Sequence, residues 1–310
     1  MMMNKDVLRY RLWQAYRAPY FAVKNSYVYW YLTNRRLITA YRAKPPQLLP
    51  IQQKLVAELC KDGLAVSTLE ELFPHRADLL SVLQREARQL AEMDTSLVRK
   101  KPFLRYFFRS GDTSVPYTQP FVALALETRL LDIVGAYFKT YAHLEYITGN
   151  IVSPVREGTE PETSQRWHRD PGSIINCKIF VYLTDVVPGS GPFTLLKGSQ
   201  PHGRNQDIAP HRFFGEGSYY PKTALVEAGI ERLYAQKDLA ENYGKAGTVI
   251  FANTLALHRG GYATAKPREM LTFYYRPVRS ERPPQFLNVP ARLPAQVGEA
   301  IGLYNGDEVV

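Results

Sequence analysis

The chain has 310 residues, 45% of them hydrophobic, with 39 lysines and arginines against 29 acidic residues, a formal net charge of +10. These values fit one large domain or two small ones, and they exclude a disordered, collagen-like or disulfide-stapled protein. The charge is uneven, because residues 1–44 hold nine cations and one anion, a net +8, which leaves +2 for the rest. The basic character therefore belongs to the amino-terminal segment.

The sequence also bounds the cellular environment. Cys60 and Cys177 are too few for a disulfide framework and lack metal-site spacing, which predicts a reducing compartment. No run of about 18 uncharged apolar residues is present, so we expect no membrane-spanning helix. The first residues lack the apolar stretch of a secretory signal, and the predicted location is cytoplasmic.

The amino-terminal extension, residues 1–45, interleaves cations with aromatic residues and ends at Pro45-Pro46. It could lie on an anionic membrane surface, with cations on the head groups and Trp and Tyr at the boundary. It could instead stack on single-stranded nucleic acid, or pack on the domain or a second copy with its cations solvated. Residues 27–32 are too apolar for a groove that tracks a strand, which favours lipid over nucleic acid.

Helical patterns follow over residues 46–140, the predicted helical front of a single catalytic domain, residues 46–310. A helix is predicted from residue 51, and Asp62-Gly63 ends it. Apolar residues recur at helical spacing in residues 79–91 and again in residues 124–138.

After residue 141 the pattern changes to short β-prone runs separated by Gly, Pro, Asn and Asp clusters. These runs are residues 144–148, 178–183, 248–252 and 270–275. One helix is predicted at about residues 224–240. The fold class is therefore α+β with a mainly β core, a sandwich, barrel or jelly roll over residues 141–280, followed by a tail of residues 281–310.

The chemistry-bearing residues lie in this β-rich half. Among six histidines only His168 has an aspartate two residues later, Asp170, and in a strand such side chains share one face and could bind one metal. His258 follows the run 248–252, and Arg268 lies ten residues further. Two histidines and one carboxylate form the facial triad of non-haem Fe(II) oxygenases, with open positions for a bidentate cosubstrate and oxygen. A nearby guanidinium can bind a distal carboxylate.

Residues 146–277 resemble Fe(II)/2-oxoglutarate-dependent dioxygenases of the phytanoyl-CoA dioxygenase group. The resemblance lies in Trp167-His168-Arg169-Asp170-Pro171-Gly172, Leu183-Thr184-Asp185, Gly191-Pro192-Phe193, Leu196-Lys197-Gly198-Ser199, and His258 with Arg268. The opening residues 62–66 also look like the start of the family's catalytic domain. The chain departs from the family at Met270, where a small hydroxyl residue is frequent, and at Gln200, where histidine is frequent.

The resemblance implies a double-stranded β-helix, or jelly roll, in which His168, Asp170 and His258 hold Fe(II). It further implies that Arg268 binds the C5 carboxylate of 2-oxoglutarate and that O2 is the second cosubstrate. Lys178 and Asn150 lie on neighbouring predicted strands and are candidates for further contact with 2-oxoglutarate. A carboxylate at position 170 argues for hydroxylation, because related halogenases have a small residue there.

The other arginines and histidines of this region are not predicted to bind the metal. Arg169 and Arg259 flank the ligands and are expected to point away from the metal, as charges at the rim. His202 and His211 are expected in a loop that could line a substrate entrance. His75 and His143 are expected to be structural.

The predicted substrate is small or lipid-linked and anionic, such as an acyl thioester or a glycolipid sugar like the inner-core sugar Kdo of lipopolysaccharide. The lipid link depends on peripheral contact between residues 1–45 and a membrane. Two alternatives remain open: a non-enzymatic, cupin-like jelly-roll binding module, and a nucleic-acid demethylase with the same iron chemistry. A homo-oligomer also remains open.

Overall fold

The computed structural model describes residues 23, 26–93, 103–111, 114–156, 158–159, 163–170, 174–205, 238–277 and 284–303. The helices are α1 (Tyr27–Ala43), α2 (Pro50–Asp62), α3 (Leu69–Leu72), α4 (Leu79–Met93), α5 (Pro120–Ala125), α6 (Thr128–Phe138) and α7 (Ala295–Ala300), with a 3₁₀ turn at Thr163–Gln165. The strands are β1 (Leu64–Thr68), β2 (Leu104–Arg109), β3 (Val115–Pro116), β4 (His143–Val152), β5 (Cys177–Tyr182), β6 (Phe193–Leu196), β7 (Leu239–Asn242), β8 (Thr248–Ala252), β9 (His258–Gly260), β10 (Arg268–Arg276) and β11 (Phe286–Leu287).

Two antiparallel sheets form the β-rich part. The large sheet has six strands in the order β1-β8-β5-β10-β4-β2, and the small sheet has three in the order β7-β6-β9. Strands β11 and β3 form a short parallel pair elsewhere. In the large sheet, β10 lies between β5 and β4, so residues far apart in sequence meet on one face.

Side chains of the large sheet alternate between a face that packs against the helices and a face that looks toward the small sheet. In β5, Ile179 and Val181 belong to the large apolar core shared with the helices, whereas Phe180 and Tyr182 pack with Phe193 of the small sheet. Successive strand residues point to opposite faces, so one strand contributes to both layers. The helical layer thus holds one face of the large sheet, and the other face looks toward the small sheet.

Two residues fix the ends of helix α2 and so the point at which the chain enters the large sheet. Pro50 occupies its first turn, where a missing N–H costs nothing. Gly63 ends it in the left-handed conformation, with φ of 69°, and donates its N–H to the Leu59 carbonyl. The chain then enters β1 directly.

Helix α1 packs through one face only. Its buried side chains are Trp30, Asn34, Ile38 and Tyr41. Tyr41 makes an edge contact with Tyr141, with ring centroids 5.4 Å apart, at the junction between α6 and β4. The opposite face of α1 is exposed and includes apolar residues.

The predicted strands at 144–148, 178–183, 248–252 and 270–275 are confirmed as β4, β5, β8 and β10, and the helices predicted from residue 51 and over 79–91 are confirmed as α2 and α4. The single helical pattern at 124–138 is two helices, α5 and α6, separated at Leu126 and Glu127.

Residues 46–140 are mainly helical, as predicted, but they also contain strands β1 and β2 of the large sheet, which were not predicted. The predicted helix at about residues 224–240 is not confirmed where the chain is described. Of the helix predicted at 224–240, residues 224–237 lie outside the described part, and Leu239 and Ala240 form strand β7. No described helix is long and apolar enough to cross a membrane.

Candidate metal centre

Backbone hydrogen bonds place His168, Asp170 and His258 beside one another between the two sheets. His168 and His258 exchange both N–H to carbonyl bonds, each 2.9 Å long, as an antiparallel bridge. The N–H of Asp170 donates to the Thr254 carbonyl at 2.9 Å, which ties the same segment to the loop before β9. The segment 168–170 is thus aligned with the approach to β9, as the i, i+2 spacing of His168 and Asp170 anticipates.

The donor atoms of the three side chains converge. Nε2 of His168 lies 3.9 Å from Oδ1 of Asp170, and Nε2 of His258 lies 3.9 Å from Oδ2. All three donor atoms lie within 4.8 Å of one another. Nδ1 of His168 is 2.8 Å from the Arg166 carbonyl and Nδ1 of His258 is 2.9 Å from the Ala256 carbonyl. Because these carbonyls require an N–H at Nδ1, both Nε2 lone pairs are directed to the shared centre.

Burial and charge favour the metal-binding protonation states. Burial would raise the pKa of Asp170, but Lys178 and both histidines outweigh it and hold that pKa well below its usual value. Burial, reinforced by His168, lowers the pKa of His258 to about 3. At neutral pH the site therefore offers an ionised carboxylate and a neutral imidazole on His258.

Lys178 of β5 is the charge partner of the carboxylate. Its Nζ lies 2.6 Å from Oδ2 of Asp170, and it sits over two aromatic rings, 5.1 Å from the centroid of Tyr274 and 5.9 Å from that of Tyr146. Burial would lower the pKa of Lys178, but Asp170 raises it above the usual value. Lys178 thus stays protonated and occupies the wall of the site.

A cavity of about 390 Å³ connects the triad to Arg268. Arg268, the first residue of β10, is 3% exposed, and one terminal nitrogen donates to the Gly191 carbonyl. Its Nε is buried without a hydrogen-bond partner in the described structure. Burial lowers the pKa of Arg268, which means that the charged guanidinium gains from an anionic partner.

Asn150 lies on the neighbouring strand β4 and also lines this cavity. It is paired in register with Met270, two residues after Arg268, and is 4% exposed. Its Oδ1 is buried and has no hydrogen-bond partner among the described residues. Arg268 and Asn150 therefore present unsatisfied polar atoms to the same space.

Arg169 was predicted to be a charge at the rim, and this was wrong. It points away from the donor atoms as expected, but it is 2% exposed and donates through one nitrogen to the Ser199 and Leu255 carbonyls. It thereby ties the ligand-bearing segment 168–170 to the segment that leads into His258. Arg259 stacks over the Trp167 ring, 4.7 Å from its centroid.

The other described histidines lie apart from the triad. His75 is exposed, and His143 is buried with Nδ1 2.8 Å from the Glu299 carbonyl. His202 adopts φ of 63° and is not among the described residues that line the cavity. His211, Pro171 and Gly172 lie outside the described residues.

Sequence reasoning missed several residues that line the cavity. Tyr146 was interpreted only as a strand residue, and Tyr106 and Arg109 lie in a strand that was not predicted. Tyr274 does not line the cavity, but β10 pairs it with both Tyr146 and Lys178, and the two tyrosine rings lie beside the Lys178 ammonium. A cross-strand pair of this kind has no signal in a single sequence.

Comparison with known proteins gives structural neighbours only. No family model and no curated relative matches the sequence. EctD from S. alaskensis, solved with 2-oxoglutarate and 5-hydroxyectoine, is 20% identical over 80% of this chain and 85% of its own, with a TM-score of 0.52. The non-haem, α-ketoglutarate-dependent epimerase SnoN from nogalamycin biosynthesis is 15% identical over 73% and 82%, also with a TM-score of 0.52. The chain therefore shares the mixed helical and antiparallel-sheet fold of these two proteins.

Proposed function

We propose that this protein is an Fe(II)/2-oxoglutarate-dependent oxygenase whose two facing sheets form a double-stranded β-helix. The observation that supports this most directly is the convergence of two Nε2 atoms and one ionised carboxylate at one end of a cavity with a buried arginine. Nitrogen and oxygen donors in a two-histidine, one-carboxylate set suit non-haem Fe(II) and leave positions open. The neighbours SnoN, solved with Fe3+ and α-ketoglutarate, and EctD, solved with 2-oxoglutarate, support the same cofactor set.

His168, Asp170 and His258 would hold the iron. The structure fits this role, because both imidazoles are fixed by backbone carbonyls through Nδ1. When bound, Fe(II) and 2-oxoglutarate supply oxidation of a substrate C–H bond by O2, with 2-oxoglutarate converted to succinate and CO2.

Arg268 would bind the distal carboxylate of 2-oxoglutarate, and the Nδ2 amide group of Asn150 would donate a hydrogen bond beside it. The buried Nε of Arg268, which has no hydrogen-bond partner among the described residues, supports the role of the arginine. Lys178 would orient Asp170 and compensate its charge. Phe180 and Phe193, whose ring centroids are 4.6 Å apart, would exclude water from the same wall.

We assign hydroxylation of a small or lipid-linked anionic substrate as the reaction. A carboxylate at position 170 supports hydroxylation, since it fills the position that an added ligand such as chloride would need. A cavity of about 390 Å³ is of the size that takes a small molecule or one end of a larger one.

The test combines binding and turnover. Anaerobic protein is titrated with Fe(II) and then 2-oxoglutarate, and the visible charge-transfer band of the chelate is recorded; succinate release is then measured in air. We expect Arg268→Met to raise the KM for 2-oxoglutarate about 10-fold to 100-fold, the loss expected for a charge-assisted pair. Arg276→Met is the matched control, since Arg276 ends the same strand, pairs with Glu145 and does not line the cavity.

Failure of the wild-type protein to bind Fe(II) and 2-oxoglutarate would contradict the proposal. In that case a metal-free or structural-metal binding module would be the better description. Equal KM values in the two arginine variants would refute the role of Arg268 while leaving the metal centre standing.

A further inference from the structure

The loop of residues 254–257 leads to His258 and is hydrogen-bonded throughout. It belongs to no strand or helix, yet each of its backbone N–H and carbonyl groups has a partner. Inside a sheet the neighbouring strands supply such bonds, whereas a loop must obtain them from other groups. The path of the chain into this metal ligand is therefore fixed by particular contacts.

Buried side chains from outside the 254–257 loop supply part of this bonding. Oγ of Ser199 accepts the N–H of Leu257 at 2.8 Å, and Arg169 donates to the Leu255 carbonyl. Asn176, the residue before β5, binds the first residue of the loop. All these side chains are at most 2% exposed, so water does not replace them.

Asn176 acts on the loop residue that contacts Asp170. Its Oδ1 accepts the N–H of Thr254 at 2.8 Å, and the Thr254 hydroxyl donates to the same oxygen at 3.3 Å. The Thr254 carbonyl in turn accepts the N–H of Asp170 at 2.9 Å. Because one oxygen holds both donors of Thr254, the direction of its carbonyl is fixed, and with it the backbone of Asp170.

The beginning of β5 thus supports Asp170 from two sides. Lys178, two residues after Asn176, lies 2.6 Å from the carboxylate oxygen Oδ2. Asn176 reaches the backbone N–H of Asp170 through Thr254. Lys178 compensates the charge of the carboxylate, whereas Asn176 restricts the backbone that carries it.

The amide nitrogen of Asn176 indicates that stability alone does not account for this residue. Nδ2 is buried and has no hydrogen-bond partner among the described residues. An unpaired buried donor costs free energy, and asparagine is seldom fully buried. The oxygen of the same amide accepts two bonds from Thr254. The neutral acceptor that Asn176 gives to Thr254 is therefore what this position provides.

We infer that Asn176 is a positioning residue for Asp170: through Thr254 it fixes the backbone of this ligand so that the carboxylate faces the Nε2 atoms of the two histidines. It lines neither the cavity nor the metal centre. Partners that orient metal ligands from outside are worth about 10-fold to 100-fold in metal affinity. The inference rests on the proposed function for the metal, but the support of Asp170 is a property of the metal-free chain.

Amide hydrogen exchange of the metal-free, full-length protein tests the support of Asp170 directly. We expect Asn176→Ala to speed exchange of the Asp170 N–H about 10-fold, the equivalent of one buried hydrogen bond. Asn176→Asp keeps the accepting oxygen and should leave this exchange close to that of the wild type, although a buried carboxylate lowers stability.

Titration with Co(II), without 2-oxoglutarate or O2, tests the consequence for the metal. Co(II) stands in for Fe(II), and its visible absorption reports the number of donor atoms around it. Asn176→Ala should bind Co(II) about 10-fold to 100-fold more weakly and with an altered spectrum. Asn176→Asp should restore most of the affinity and the spectrum of the wild type.

Gln52→Ala is the matched control. Gln52 of α2 is 2% exposed, and its Oε1 accepts the N–H of Leu49 at 2.8 Å, so the substitution removes a bond of the same kind from a residue that does not line the cavity. Urea unfolding should show a loss of stability in both alanine variants. Only Asn176→Ala should change the exchange of Asp170 and the affinity for Co(II).

Three results would overturn the inference: unchanged exchange of Asp170 or unchanged Co(II) affinity in Asn176→Ala, equal changes in Gln52→Ala, or an Asn176→Asp protein as impaired as Asn176→Ala. Should Asn176→Ala not fold, Thr254→Val decides, because it removes only the hydroxyl bond to Oδ1. It should speed the same exchange by a smaller factor, and unchanged exchange would then overturn the inference.

The two measurements separate this inference from the proposed function. Wild-type protein that binds neither Co(II) nor Fe(II), while exchange of Asp170 still depends on Asn176, would refute the oxygenase and keep the support of Asp170. Normal binding of metal and 2-oxoglutarate with no effect of Asn176 would refute the positioning role alone.

Discussion

The cavity and helix α1 use charge in different ways. In the cavity Lys178 and Arg268 are largely or fully buried and each has a particular partner, Asp170 for Lys178 and the Gly191 carbonyl for Arg268. On α1 the cations Arg35 and Arg36 stand on a helix whose outer face is exposed and partly apolar. A buried charge is costly to leave unpaired, whereas an exposed charge contributes little by itself. Replacing one charged residue of the cavity should therefore change function, whereas the cations of residues 1–45 should matter only through their combined charge.

The largest effect is expected from the metal ligands. His168→Ala removes one donor from the triad, and we expect Fe(II) affinity and succinate release to fall more than about 100-fold, since even outer partners of metal ligands are worth about 10-fold to 100-fold. Iron content after desalting measures the change. His75→Ala, an exposed histidine, should retain both properties. Equal iron content in the two variants would remove His168 from the metal centre.

The next largest effect is expected from replacing Arg169, whose guanidinium binds two backbone carbonyls and no metal. Arg169→Met leaves the buried Ser199 and Leu255 carbonyls without their donor. Each unsatisfied buried group costs about 1–3 kcal/mol, so the free energy of unfolding should fall by about 2–5 kcal/mol. Urea unfolding measures it. Arg259→Met loses only a contact over Trp167 and should change stability by about 1 kcal/mol or less; similar losses in both variants would contradict this role of Arg169.

A smaller effect is expected at the β-bulge of β2, where its pairing with β4 shifts between Tyr106 and Phe108. Gly149→Ala adds a Cβ that meets the Phe107 ring, so either the ring or the strand must move. Overpacking of this kind costs about 1–3 kcal/mol of unfolding free energy. Gly111→Ala is the control, because nothing lies within 4 Å of a Cβ there. A Gly149→Ala protein as stable as the wild type would mean that Phe107 does not fix the bulge.

The sequence predicted correctly those features that depend on residues close together in the chain. Strand β8 was predicted with its observed bounds, residues 248–252, because a continuous apolar run bounded by turns can form only a few structures. The pairing of His168 with Asp170 followed from two-residue periodicity, His258 and Arg268 followed from their places beside the last β-prone runs, and the resemblance to a family then implied the roles of all four. The structure brings the first three together at one centre and places Arg268 in the same cavity.

The features that were not predicted depend on contacts between residues far apart in the chain, for which a single sequence carries no signal. Arg169 could have been interpreted only as a rim charge, since nothing near it in sequence marks two carbonyls 30 and 86 residues away as its partners. Strand β2 was missed because its bulge breaks the alternation that would reveal it. The environment of Lys178 likewise depends on register across three strands.

The smallest effect on folding, and the sharpest contrast with the cavity, is expected on α1. Tyr27, Val28 and Leu32 are 62%, 66% and 58% exposed, and Val28 and Leu32 share one face at i, i+4 spacing. We propose that this face contacts an anionic membrane surface. Serine at all three positions should change the free energy of unfolding by no more than about 0.5 kcal/mol each and should leave succinate release in solution unchanged.

Binding to vesicles is the property that should change. The wild-type chain should sediment with vesicles containing phosphatidylserine at low salt and detach as salt rises, since each cation near such a surface contributes about 1 kcal/mol. The triple variant should bind at least about 10-fold more weakly, through loss of buried apolar area. Replacing Arg35 alone should have little effect, because these charges act in sum, whereas a single change at Arg268 should disable its site. Wild-type protein that does not bind anionic vesicles at low salt would refute membrane contact and leave α1 as a packing element held by Trp30, Ile38 and Tyr41.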